Sequence, residues 1–100
     1  MTTTAEIVTF RLHPDADPGA FVSAARDMAP FLTKAGGMIR RDLSVDANGL
    51  WTDYILWTSL EAAKSAAAQM MQQPTAAPFI AMIDGASARM QHAAVHLQQG

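Results

Sequence analysis

Three histidines, His13, His92 and His96, stand in a chain that contains no cysteine. The missing thiol removes disulfide frameworks, thiolate metal sites and cysteine nucleophiles from consideration. His92 and His96 are four residues apart in a segment that reads as a strand. Both therefore point to one face, about 13 Å apart at ~3.3 Å per residue. A metal ion needs each nitrogen about 2 Å away, so the two do not chelate one together. Neither helical segment offers a His/Asp/Glu cluster, and no metal site or cofactor is expected. Histidine is the side chain that changes charge near neutral pH, so His92 could act as a general base or bind a ligand by hydrogen bond. The alternative is a half-buried strand histidine bonded to backbone or solvent. His96 lies close to a chain end, and His13 sits in a loop beside Pro14.

A carboxylate in the middle of a sheet face needs a partner or water, and Asp53 is such a residue. Ser44 across the hairpin is one possible partner and His92 another. An Asp–His pair would orient the imidazole and raise its basicity, which makes His92 and Asp53 the catalytic candidates. Trp57 and Arg40 become cross-strand neighbours if the hairpin turn has two residues, close enough for a cation–π contact of about 0.5–1 kcal/mol. They are the substrate-binding candidates, for a flat, anionic or quinone-like molecule. The alternative is that Trp57 is core and Arg40 its lid. Met28, Met70, Met71, Met82 and Met90 could line an adaptable pocket or fill the core.

These residues need elements to hold them. Glu6–Leu12 is β-branched and aromatic and reads as a strand. Asp17 and Pro18 suit the cap and first position of a helix whose buried face is Phe21, Ala25, Met28 and Leu32. Pro30 should kink or restart that helix, and Gly36-Gly37 should stop it. Met38–Asp46 and Leu50–Trp57 read as two strands joined by a type I′ turn at Asn48-Gly49. That register puts Arg40, Asp42, Ser44 and Asp46 on the face of Trp51, Asp53, Ile55 and Trp57; a three-residue turn would reverse it. Thr58 or Ser59 caps the next helix, with Thr58 and Glu61 fitting a capping box. Its face is read as Leu60, Ala63, Ala67, Met70 and Met71, and Pro74 ends it. A short helical piece covers Thr75–Ile83, Asp84-Gly85 closes it, and Ser87–Leu97 is the last strand.

The order β-α-β-β-α-β is the ferredoxin-like α+β arrangement, with an antiparallel sheet ordered 4-1-3-2 and both helices on one face. One domain spans residues 1–100. Half of the residues are hydrophobic and only 16% are charged, a large apolar share for so small a body. The uncovered sheet face is not cleanly polar either, so two subunits are expected to close on each other as a homodimer. The net charge of −2 and scattered basic residues argue against nucleic acid. No apolar run approaches the ~20 residues of a membrane span, and residues 1–6 do not resemble a signal peptide. A cytoplasmic protein with a small-molecule ligand is the default expectation.

The segment Trp57-Thr-Ser-Leu-Glu-Ala-Ala63, with the Pro74…Pro78-Phe79 break, resembles the dimeric α+β barrel superfamily, and most closely its antibiotic-biosynthesis-monooxygenase-like (ABM-like) branch, over residues 5–97. That resemblance implies a cofactor-independent monooxygenase or isomerase acting on a small aromatic or polyketide-like compound. Trp57 would match the tryptophan that lines the pocket in oxygenase and haem-degrading members. The second-helix histidine of haem-degrading members has no counterpart in residues 59–83, and the only asparagine, Asn48, lies in the turn. Under the enzyme reading Trp57 and the methionines hold the ring system, Arg40 offsets negative charge, and His92 with Asp53 moves a proton. The alternative is a non-catalytic dimer that binds a small ligand or serves as a stress-related module.

Overall fold

Residues 2–100 are described by a computed structural model. Its elements are β1 (Thr4–Leu12), α1 (Pro18–Arg26), α2 (Ala29–Ala35), β2 (Met38–Val45), β3 (Trp51–Trp57), α3 (Leu60–Met70), α4 (Ala77–Met82) and β4 (Ile83–Ala94), with a 3₁₀ turn over Pro74–Ala76. The strands form one antiparallel sheet in the expected order, β2-β3-β1-β4, and the helices lie on one side of it.

Local chemistry sets the helix limits. The Asp17 carboxylate accepts from the Ala20 N–H at 2.8 Å, and Pro18 starts α1 where a missing N–H is harmless. Pro30 cannot donate into a continuing helix, so the chain restarts as α2. Phe21, Ala25, Met28 and Leu32 are all buried, as their spacing predicts. Gly37 has φ 88°, and a Cβ there would lie 2.8 Å from Ala62 Cβ. Only glycine lets the start of β2 pass so close to α3. Ser59, not Thr58, caps α3 by accepting from the Ala62 N–H at 3.1 Å, so the Thr58–Glu61 box is not made. The inner face of α3 is shifted as well. Ala63 and Ala66 are buried and Met70 is half-buried, whereas Leu60 and Met71 are exposed.

The hairpin turn has three residues, not two. Val45 pairs with Trp51, Leu43 with Asp53 and Arg41 with Ile55. A type I′ turn needs positive φ at both central residues, and Asn48 does not have it; only Gly49 does, at 82°. The cause is Asp46, whose carboxylate accepts from the N–H groups of both Asn48 (2.8 Å) and Leu50 (2.9 Å). This side-chain turn draws in one more residue, and the one-residue slip carries the side chains of residues 40–45 to the other face, until a second shift between Met38 and Arg40 sets Met38 opposite Trp57. Arg41 and Leu43 thus share the helix side with Trp51, Asp53 and Ile55, while Arg40, Asp42 and Ser44 do not.

β4 begins at Ile83, four residues before the expected start, and ends at Ala94. Its pairing with β1 shifts between Thr9 and Arg11. There the Arg11 N–H donates to Ser87 Oγ at 2.8 Å, so a hydroxyl replaces the missing ladder carbonyl. The core lies between sheet and helices around four aromatic rings. Phe21 stacks on Phe79 at 4.8 Å and meets Trp51 edge-on at 5.0 Å, and Phe10 packs edge-on against Phe21 at 5.6 Å.

Candidate active site

Next to this aromatic cluster the packing is incomplete. A partly open cavity of about 110 Å³ lies between the sheet and the helices. Period-2 alternation turns Glu6, Val8 and Phe10 of β1 and Asp53, Ile55 and Trp57 of β3 toward it. Arg41 enters from β2, Met90 from β4, and Ala66, Ala67 and Met70 form its α3 side. Small alanines on α3 leave the volume open; larger side chains at those positions would fill it.

Asp53 and Arg41 form a buried ion pair. Arg41 Nε donates to Asp53 Oδ1 at 3.0 Å and Nη2 to Oδ2 at 2.8 Å, and the two side chains are only 14% and 8% exposed. Arg41 Nη1 also donates to the Ala25 carbonyl at 2.9 Å, and its Cζ lies 5.5 Å from the centre of the Phe79 ring. A planar guanidinium only donates, and the carboxylate accepts two of its N–H groups in the two-bond fork geometry. The pair brings no net charge into the cavity.

Glu6 is a second carboxylate at the same cavity. Its side chain is 7% exposed, and His92 Nε2 lies 3.1 Å from Glu6 Oε2. The two residues face each other directly across β1 and β4. Trp57 supplies the third polar feature. It is 1% exposed, and its Nε1 is the one buried side-chain nitrogen or oxygen without a hydrogen-bond partner among the described residues. Leaving such a donor buried and unmade costs about 1–3 kcal/mol.

The predicted residues are therefore distributed differently from expectation. Asp53 and Trp57 line the cavity. Asp53 pairs with neither Ser44 nor His92: Ser44 faces the other way, and β1 lies between β3 and β4, which sets Asp53 and His92 two strand spacings apart, about 10 Å. His92 lies outside the cavity lining and reaches it through Glu6. Arg40 does not neighbour Trp57. It pairs with Leu56 in the ladder and holds an exposed ion pair with Asp42 at 2.7 Å, because the three-residue turn reverses its face. Met70 and Met90 line the cavity, Met28 lines it from the buried core, and Met71 stands exposed.

Two site residues were missed. Glu6 was counted as the start of a strand, although its two-residue spacing from Val8 and Phe10 already marked a carboxylate on an apolar face. Arg41 was assigned to the opposite face, and the signal that would have moved it is Asp46 two residues before Asn48. Among the described residues no group of three or more His, Asp or Glu is placed to hold a metal ion, and no helix is long and apolar enough to cross a membrane.

Solved structures share this architecture over nearly the whole chain. A variant of SnoaB, a cofactor-independent oxygenase from Streptomyces nogalater, superposes with a TM-score of 0.78 at 19% identity, covering 98% of this chain and 97% of that one. A Bordetella bronchiseptica protein classed with the antibiotic biosynthesis monooxygenases gives a TM-score of 0.81 at 13% identity, over 97% and 100% of the two chains. A Caulobacter crescentus protein of the same class gives 0.76 at 15% identity, over 96% and 92%. The chain has the ferredoxin-like fold of these ABM-like structures. No family model and no curated protein matches the sequence.

Proposed function

We propose that the cavity binds a small aromatic molecule and that the protein acts on it as a cofactor-independent monooxygenase or isomerase. One observation carries this reading: Trp57 Nε1 is a buried, unpartnered donor on a residue of the cavity wall. A ligand acceptor would satisfy it. Apart from Glu6, which His92 engages, and the neutral Arg41–Asp53 pair, the walls are apolar, so an uncharged ring with a carbonyl-type acceptor suits the site. Arg41 takes the part expected of Arg40, offsetting negative charge that develops on the ligand, and Asp53 holds Arg41 in place rather than serving as a free base. The fold shared with a cofactor-independent oxygenase supports the reaction class.

Volume limits the ligand. An apolar cavity of about 150 Å³ holds benzene, so 110 Å³, open on one side, takes no more than a single ring. A polycyclic compound would need Met70 and Met90 to move aside, which unbranched side chains allow. The protein acts as a homodimer in this reading: Ile39 and Leu97 are half exposed or more, an apolar surplus that a second subunit would cover.

Titration with benzaldehyde, followed through the indole N–H resonances, tests the binding step. With Trp51→Phe assigning the two signals, the Trp57 resonance should shift downfield as its hydrogen bond forms, while that of Trp51 moves little. A Trp57 resonance unmoved at millimolar benzaldehyde would refute the reading.

A further inference from the structure

Of the two carboxylates on the cavity wall, Asp53 has both oxygens engaged by Arg41, and Glu6 has one engaged, Oε2, by His92. Glu6 Oε1 makes no hydrogen bond among the described residues, yet it is not sealed off, since Trp57 Nε1 is the one wholly buried side-chain nitrogen or oxygen there without a partner. The Glu6 side chain is only 7% exposed, so the space its free oxygen meets is the cavity rather than bulk water. A carboxylate only accepts, and an acceptor in an apolar cavity favours a ligand that brings it a donor. Glu6 and Trp57 are diagonal neighbours on this face: in the β1–β3 ladder Glu6 stands opposite Ile55, and Thr4 opposite Trp57. Such positions lie about 7–8 Å apart, close enough for one small ligand to meet both side chains.

We propose that Glu6 is a specificity-determining residue that accepts an N–H of the ligand through Oε1, and that the ligand is of the amide class, a single ring bearing a carboxamide. The inference rests on the cavity being a ligand site, and it adds a donor to the acceptor that Trp57 requires. An amide supplies both on neighbouring atoms, its C=O for the indole N–H and its N–H for the carboxylate. The cavity, at about 110 Å³, leaves no room to carry the two groups on opposite ends of a larger molecule. An ammonium group would also meet Glu6, but it has no acceptor for Trp57, and Arg41 on the same wall repels it. No covalent bond breaks, and Glu6 acts by recognition alone. Its selectivity lies in what it refuses. A ketone of the same shape would cover Oε1 with a methyl group and strand a buried acceptor without a partner. Sites built to hydrogen-bond a ligand reject its unpaired isostere for this reason.

Benzamide and acetophenone test this, because they share a shape and a carbonyl and differ by NH₂ for CH₃. Each is titrated against the protein and followed through the Trp57 indole N–H resonance, which both should move. Wild type should bind benzamide the more tightly. A merely apolar cavity gives the opposite order, since the amide N–H groups lose water and gain no partner. In Glu6→Leu the acceptor is gone, and the ratio of the acetophenone Kd to the benzamide Kd should fall by at least about tenfold, the effect of one hydrogen bond to a charged acceptor. Benzamide bound no more tightly than acetophenone by wild type overturns the role of Glu6, and so does a ratio unchanged in Glu6→Leu. If Glu6→Leu does not fold, the wild-type order still decides. In either case a Trp57 resonance that moves with acetophenone leaves the cavity reading standing. A Trp57 resonance unmoved by both probes at millimolar concentration defeats the cavity reading and this inference with it.

Discussion

Removing Asp53 is the sharpest test of the hairpin register and of the buried pair together. In Asp53→Ala the Arg41 guanidinium, 14% exposed, loses two hydrogen bonds of 3.0 and 2.8 Å to a carboxylate that is 8% exposed. Breaking a buried pair at one end costs about 3–5 kcal/mol, because a charge stays behind without its partner. Arg41 keeps the Ala25 carbonyl and the Phe79 ring, and it also borders an open groove beside α1 and α2 through which water can reach it. The expected cost is therefore about 2–4 kcal/mol. For a domain of this size that lowers Tm by about 8–32 °C, at about 4–8 °C per kcal/mol. The double variant Arg41→Met with Asp53→Leu should lose about 1 kcal/mol or less, since no charge is stranded. Arg40→Met should also lose no more than about 1 kcal/mol, its ion pair with Asp42 being solvent-screened at 67% and 51% exposure. Urea unfolding at one fixed protein concentration measures all of these. A cost below about 1 kcal/mol for Asp53→Ala, or an Arg40→Met cost equal to that of Arg41→Met, would show that the pair and the three-residue turn do not exist in solution.

Gly37→Ala should destabilise by about 2–4 kcal/mol in urea unfolding, since a Cβ would press on Ala62 at 2.8 Å and Thr58 at 3.0 Å with φ at +88°; Gly36→Ala has open space and should cost less in the same assay. The Asp46 carboxyl is held below its ordinary value chiefly by the Leu50 N–H, with the Asn48 N–H, the Arg11 charge and the Gly49 N–H also lowering it and burial opposing them. A depressed folded pKa contributes stability above the unfolded value, and that contribution disappears as pH falls through the folded one. The difference in urea midpoint between wild type and Asp46→Ala should therefore narrow as pH falls below about 4, and a constant difference would refute this. Light scattering at micromolar protein should report twice the 10.7 kDa chain mass, and a stable monomer would rule out the homodimer.

Much of the scaffold was legible in residues whose effects are local. Asp17 and Pro18 start α1, Pro30 divides it from α2, and the Phe21–Leu32 spacing marks the buried stripe, each acting within about four residues. The alternation of Trp51, Asp53, Ile55 and Trp57 placed these four on one face whatever the turn. The element order then limited the sheet to 4-1-3-2, because short right-handed crossovers leave few alternatives. That Asp53 and Trp57 share a sheet face followed from alternation alone.

Which partners they meet was a different matter. Arg40 and Arg41 are adjacent and chemically equal, and their fates were divided by a single extra residue in the turn, selected by two hydrogen bonds to Asp46. The strand pattern itself favours the observed register, since Leu43 and Val45 share the face of Arg41 whereas Asp42 and Ser44 share that of Arg40, but the Asn48-Gly49 turn signal points the other way. The pairing of His92 with Glu6 joins positions 86 residues apart, and only the docking of β4 beside β1 brings them together. The sequence by itself determined the elements, their order and the apolar face, because backbone geometry and burial act on near neighbours and on averages. The tertiary structure decided the ion pairs and the cavity, because these depend on strand register and on the space left when helices of alanine close over the sheet.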